Sequence, residues 1–382
     1  MSVPGAVWDQ VVGQERQIEP LQAAAASRDA MTHAWLITGP PGSGRSYAAR
    51  AFAAALQCDQ GGCGVCHACT TAVSAAHADV RVVATQKVTI GIDEVRDLAA
   101  LAQRAPSQGR WRVIIIEDAD RMTERTSNVL LKAIEEPPAR TVWVLCAPHA
   151  HDVAITIRSR CRIVSLRTPA PEVVAQLLVE RDGVEADLAL EAALAAQSHI
   201  GIARRLARDP QARARRDQVV ALATEVRGVG DAVLAAADLV QVAEDDAAAA
   251  TAERDAAERA QLLTVLGAGT GTIPPALRAQ VRELEEEQKR RATRLKRDVF
   301  DRAVTDLMSF YRDVAAIQLG AQVRPLNLTH EGRARELATR TSLADTMRCL
   351  DALALARDRL AANVQPLLAM EAMILALRPR SS

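Results

Sequence analysis

The chain has 382 residues, enough for two or three domains, and its 47 basic and 47 acidic side chains cancel. A free-standing nucleic-acid binder carries a basic excess, so any contact with DNA is expected to be local or shared with partners. Aromatics make up only 2% while Ala, Leu, Val and Arg abound, which leans helical. No charged stretch leads into an apolar leader and no apolar run reaches about 18 residues, so a cytoplasmic chain with no membrane contact is expected.

In chain order, residues 7–30 read as a short loop and an amphipathic helix. Ala34–Thr38 (AWLIT) is a short apolar strand, followed by the glycine loop Gly39–Ser46 and an Ala-rich helix ending near Cys58. Asp79–Ala84 has strand character. Ile92–Arg104 has helical spacing, with Val95, Leu98, Ala99 and Ala102 on one side. Trp111–Ile116 is a continuous apolar run of the kind a buried parallel strand shows. A helix over Ser127–Glu136 stops at Pro137–Pro138. Thr141–Ala147 and Arg162–Leu166 read as further strands, and the alternation implies β-α-β crossovers and a parallel sheet. After Leu166 only helices are expected: short ones over Glu172–Arg181 and Ala186–Arg208, then a nearly all-helical remainder from Pro210. Gly267–Pro275 is a loop, and Val281–Leu319 is one long helix. The first half of that helix has no apolar face and pairs Glu285–Lys289, Glu286–Arg290 and Glu287–Arg291, as a solvated helix projecting from the body. Asp345–Leu377 is a final helical region.

Three motifs carry chemistry. GPPGSGRS (Gly39–Ser46), after a strand and before a helix, fits G-x-x-x-x-G-K-[ST], a loop whose backbone N–H groups wrap a nucleotide's phosphates. Gly39, Gly42 and Gly44 permit the turn; Ser46 offers a hydroxyl for Mg²⁺; Arg45 stands where Lys is expected. The competing reading is a tight Gly-Pro turn without ligand. At the end of the Ile114–Ile116 strand, Glu117 and Asp118 supply the carboxylates that a phosphate-loop NTPase uses for Mg²⁺ and water, in the order Glu-Asp rather than Asp-Glu. The alternative is a helix-capping acidic turn. ATP with Mg²⁺ is therefore the ligand class, with occupancy open and hydrolysis blunted. Finally, Cys58, Cys63, Cys66 and Cys69 crowd together with Gly61, Gly62 and Gly64 between them. Four thiolates complete a structural Zn²⁺ site and leave no place for substrate; an iron–sulfur cluster and free thiols are the competitors. Cys146, Cys161 and Cys349 read as small core hydrophobes.

V-V-G-Q (Val11–Gln14), GPPGSGRS, the cysteine cluster, IIEDADRM (Ile115–Met122), NVLLKAIEEPP (Asn128–Pro138), S-R-C (Ser159–Cys161) and G-I-A-R (Gly201–Arg204) occur in one order over the first 210 residues. Together they resemble the bacterial clamp-loader AAA+ family of DNA polymerase III, of delta-prime type first and gamma/tau type next. The resemblance implies an AAA+ phosphate-loop α/β domain (1–167) with a zinc module at 58–69. It implies a small helical lid (168–209) and an all-helical C-terminal oligomerisation domain (210–382). It places Gln14 beside the adenine, Arg204 as a sensor arginine, and Arg160 as an arginine finger reaching a neighbouring subunit's nucleotide. The family's other sensor falls at Ala147 or Pro148, neither of which has a polar side chain. The implied partners are gamma/tau and delta subunits, with the sliding clamp and primed DNA reached through the assembled complex. Arg45, the Glu-Asp order and the lost sensor weaken hydrolysis in cis while the donor Arg160 remains, which favours a scaffold of delta-prime type over a working gamma/tau-type ATPase. A zinc-dependent nucleic-acid binder unrelated to clamp loading is the reading the neutral charge argues against.

Overall fold

The computed structural model describes residues 6–85, 89–226, 228–265, 278–362 and 364–378. It divides into two compact units, Met1–Arg208 and Asp209–Ser382.

The first unit is built on five strands: β1 (Ala34–Thr38), β2 (Val80–Val83), β3 (Arg112–Ile116), β4 (Thr141–Ala147) and β5 (Arg162–Ser165). All pair in parallel, in the order β2-β3-β4-β1-β5. Alternate residues go to opposite faces, as the pleat requires. Trp35, Ile37, Val113, Ile115, Val142 and Val144 join the core that includes Leu21 of α1 (Glu15–Ala26) and Phe52 of α2 (Arg45–Gln57). Leu36, Ile114, Ile116, Trp143 and Leu145 join the core with Val95 and Leu98 of α4 (Ile92–Ala102) and Leu130 of α5 (Glu124–Glu135). Burial on both faces explains the unbroken apolar runs. In register, Thr38 stands beside Ala147 and Ser165, so the carboxyl ends of β1, β4 and β5 meet where α/β sheets bind ligands.

Helix α5 starts one turn before the expected Ser127. The hydroxyl of Thr123 accepts the N–H of Thr126 and caps the helix there. A short helix, α3 (His67–Val73), closes the cysteine segment. After β5 come α7 (Pro171–Asp182), α8 (Ala186–Ala195) and α9 (Ile200–Arg208), following the one-turn α6 (Ile155–Arg158). Gln197 and Ser198, with φ of 49° and 62°, break the chain between α8 and α9.

Among the described residues the second unit is all helix: α10 (Pro210–Glu225), α11 (Val229–Val265), α12 (Arg278–Gln318), α13 (Glu331–Arg340), α14 (Leu343–Ala361) and α15 (Pro366–Leu377). Its core joins Phe300, Leu307, Phe310 and Tyr311 to Leu353, Met370 and Ile374. Here the charged stretch expected to be solvated keeps Glu285, Glu286, Lys289 and Arg290 exposed but turns one side to α11. Arg291 is buried, and its guanidinium reaches Asp255 at 2.7 Å and Glu258 at 3.0 Å on α11. Lys296 likewise reaches Glu244 at 2.7 Å, and Glu285 takes Arg259 at 2.8 Å. Buried Ala232, Ala236, Ala243 and Ala247 give α11 a narrow side. Long charged side chains then close the seam where apolar ones are lacking. Gly267–Pro275 lies outside the described residues. No helix among the described residues is long and apolar enough to cross a membrane.

Candidate nucleotide site and metal centre

The glycine loop links the end of β1 to α2. Gly42 and Gly44 take φ of +84° and +92°, a region glycine enters without strain. At Gly42 the need is also steric: a Cβ there would lie 2.5 Å from Cγ of His199, at the head of α9. The amides of Arg45 and Ser46 open α2, where a helix start leaves donors for an anion. Ser43 is buried, and its Oγ has no hydrogen-bond partner among the described residues. Glycine backbone, open amides and an orphaned hydroxyl fit a phosphate chain.

The side chains around the loop are already engaged. The Arg45 guanidinium turns back and donates from Nη1 to the carbonyl of Gly39, at the loop's own root. Gln14 is fully buried; its Nε2 donates to the carbonyls of Ser43 (3.2 Å) and Arg167 (2.5 Å), and its Oε1 accepts the N–H of Arg167 (3.0 Å). Its amide thus ties the loop to the segment after β5. Glu117, at the end of β3, accepts two bonds from Arg50 of α2: Nε at 3.1 Å and Nη2 at 2.9 Å. Asp118 lies 3.8 Å from Arg121. Burial raises the carboxyl of neighbouring Asp120 above the usual range, and the charge of Asp118 adds to the rise. Ala147 and Pro148 close the end of β4, and the Pro148 carbonyl accepts the N–H of Gly39 at 3.1 Å. Arg204 donates from Nε to Asp182, at the end of α7, at 2.7 Å.

Arg160 stands elsewhere, just before the edge strand β5 and exposed. Its Nη2 lies 2.5 Å from Oε1 of Glu135, and its Nη1 donates to the carbonyl of Thr156 (2.8 Å) and to Ser159 Oγ (3.2 Å). Arg50, His199, Glu135 and Asp182 were not singled out from the sequence as site residues. Each meets its partner across 22 to 157 positions, and no spacing rule reaches that far.

The four cysteines converge. Their sulfurs all lie within 4.8 Å of one another, with Cys58, Cys63 and Cys69 buried. Cys58 and Cys66 are 3.8 Å apart. That matches the edge of about 3.8 Å in a tetrahedron with zinc–sulfur bonds of about 2.3 Å. His67 is exposed at the start of α3 and is not needed to complete the set. Gly62 and Gly64, with φ of +103° and +81°, make the bends, and a Cβ on Gly62 would strike Val7 at 2.5 Å. Burial alone would raise the Cys58 thiol. The amides of Cys63, Gly62 and Gln60 overcome that and bring it down to about 6. Burial drives the Cys69 thiol upward. The donor set fits one tetrahedral metal ion.

Residues 13–170 match the family model described as "DNA polymerase III, delta subunit". The DNA polymerase III subunit gamma/tau of Mycobacterium tuberculosis (strain ATCC 25618 / H37Rv) is 35% identical over 190 residues, 48% of this chain and 33% of that protein. The subunit delta' of Pseudomonas aeruginosa is 33% identical over 165 residues, 42% of this chain and 50% of that protein. The chain thus spans between one third and one half of these curated relatives. Among solved structures, a gamma subunit-related protein of Thermotoga maritima aligns over 95% of this chain and 98% of its own, at 17% identity and a TM-score of 0.43.

Proposed function

We propose, from the premise that this chain is a member of the clamp-loader family, that it is a delta-prime-type scaffold subunit which serves a neighbour's nucleotide rather than turning over its own. The observation that carries the reading is the state of its own cradle. Arg45 is turned back onto the carbonyl of Gly39, and Glu117 is held by the guanidinium of Arg50. A lysine at position 45 would reach out as a point charge toward a β- or γ-phosphate, whereas the longer fork finds an acceptor inside the loop. A carboxylate held by arginine is a poor Mg²⁺ ligand, and Ala147 and Pro148 add no polar side chain. The loop amides and Ser46 still suit the phosphates of ATP, so binding with little hydrolysis is the expected behaviour.

Arg160 would act in trans. On a neighbour's site its guanidinium would offset charge developing on a transferring phosphoryl group. The assembly would hold gamma/tau and delta subunits and use ATP to place the sliding clamp on primed DNA. Cys58, Cys63, Cys66 and Cys69 would hold Zn²⁺ in a purely structural role, with no coordination position left for substrate. Core, lid and collar (1–167, 168–209 and 210–382) remain our proposed division of labour.

The test is reconstitution with gamma/tau and delta subunits, the clamp and primed DNA. Arg160→Ala should cut DNA-stimulated ATP turnover about tenfold or more, within the ~10³–10⁵ that a trans-acting arginine can supply. Unchanged turnover and clamp loading overturn the scaffold reading. A second reading, a working gamma/tau-type ATPase, draws on the 35% identity to gamma/tau and on the intact glycine loop with Ser46. Steady-state hydrolysis by the lone chain, abolished by Arg45→Ala, would establish it instead.

A further inference from the structure

We propose that Glu135 is a positioning residue for Arg160, aiming the guanidinium before any neighbour arrives; this rests on the trans role of Arg160 above. Glu135 is the last residue of α5, in the segment I-E-E-P-P that no other part of the site uses. Pro137 and Pro138 end the helix at that point, so the carboxylate sits at a stiff stop rather than on a loose loop. It meets Arg160 from 25 positions away, at 2.5 Å between Oε1 and Nη2. On the other side the Thr156 carbonyl and Ser159 Oγ take Nη1.

A guanidinium has five N–H donors. Nη1 donates to the Thr156 carbonyl and Ser159 Oγ, and Nη2 is ion-paired with Glu135. Nε makes no hydrogen bond among the described residues, and the Nε–Nη2 edge of a guanidinium is the fork that grips a phosphate bidentately. The held arginine is therefore pre-oriented yet still able to bind an anion. The pair adds little to stability, because both side chains are more than one third exposed. Its value lies in reducing the freedom of a flexible side chain, the cost that positioned groups avoid. Glu136, one residue on, has no such contact among the described residues' hydrogen bonds or ion pairs, which makes it the internal control.

The experiment uses Glu135→Gln, which keeps the shape and removes the charge, beside Glu135→Asp, Glu136→Gln and Arg160→Ala. In the full-length chain alone, ¹⁵N relaxation of the arginine Nε–H groups should show Arg160 mobile in Glu135→Gln and ordered in the parent. In the reconstituted complex, Glu135→Gln should lower kcat for DNA-stimulated ATP turnover about tenfold, within the ~10²-fold cost of a misplaced group, with KM for ATP unchanged. Glu135→Asp should recover part of the loss, and Glu136→Gln should match the parent. In an Arg160→Ala background, Glu135→Gln should add nothing. Parent-like turnover in Glu135→Gln, or a further loss in the Arg160→Ala background, overturns the inference. If Arg160→Ala is impaired while Glu135→Gln is normal, only this inference falls; if Arg160→Ala is itself normal, the trans role falls with it.

Discussion

Replacing Asp79 by asparagine probes the joint between the sheet edge and the loop that reaches the cysteine centre. Asp79 is wholly buried just before β2. Its carboxylate accepts the amides of Ser107 (2.7 Å), Gln108 (2.7 Å) and Gly109 (2.6 Å) and the Ser107 hydroxyl (3.0 Å), and it pairs with buried Arg112 at 3.0 Å. The same loop continues to Arg110 and Trp111, whose backbone groups bond Gln57 next to Cys58. Burial alone would raise the Asp79 carboxyl, but the ring of amides holds it down to about 2, from 3.8. That fall from 3.8 to about 2, at ~1.4 kcal/mol per pH unit, makes about 2.5 kcal/mol of stability. The sign follows from the lowered folded value: the contribution is whole above pH ~4 and is lost as pH falls toward 2. Asparagine also strands Arg112 and sets an amide donor against amide donors, so the full cost should be about 3–5 kcal/mol. For a unit of this size that is a drop in Tm of about 10 °C near neutral pH. Thermal unfolding followed by circular dichroism from pH 7 to 2 provides the assay. The parent should lose stability on acidification more steeply than Asp79→Asn. A Tm within about 2 °C of the parent, or parallel pH profiles, would refute the reasoning.

Two further outcomes are expected. Metal analysis of purified protein should find about one zinc per chain, and a strong chelator should release it, expose four thiols and lower Tm; near-zero metal with four thiols titrating at once removes the centre. Arg45→Lys should free the Gly39 carbonyl and tighten ATP binding severalfold, yet leave turnover by the lone chain slow, because Glu117 stays on Arg50. Brisk hydrolysis by Arg45→Lys would mean that one letter is the whole block.

Local chemistry made much of this protein legible from its sequence. Apolar runs such as Trp111–Ile116 announce strands covered on both faces, and a strand, a glycine loop and an alanine helix announce a loop shaped for phosphates. Four cysteines within twelve positions announce a cluster of sulfurs, because so short a span keeps them close in almost any compact turn. Those signals act over one or two turns of chain, the range that spacing rules describe. What the side chains do with one another was decided only by the tertiary structure. Arg45 turning onto Gly39, Arg50 holding Glu117, Glu135 holding Arg160 and Arg291 crossing to α11 are all choices among acceptors. A guanidinium takes whichever acceptor the fold brings within about 3 Å, and that distance is set by how helices cross the sheet rather than by any count along the sequence.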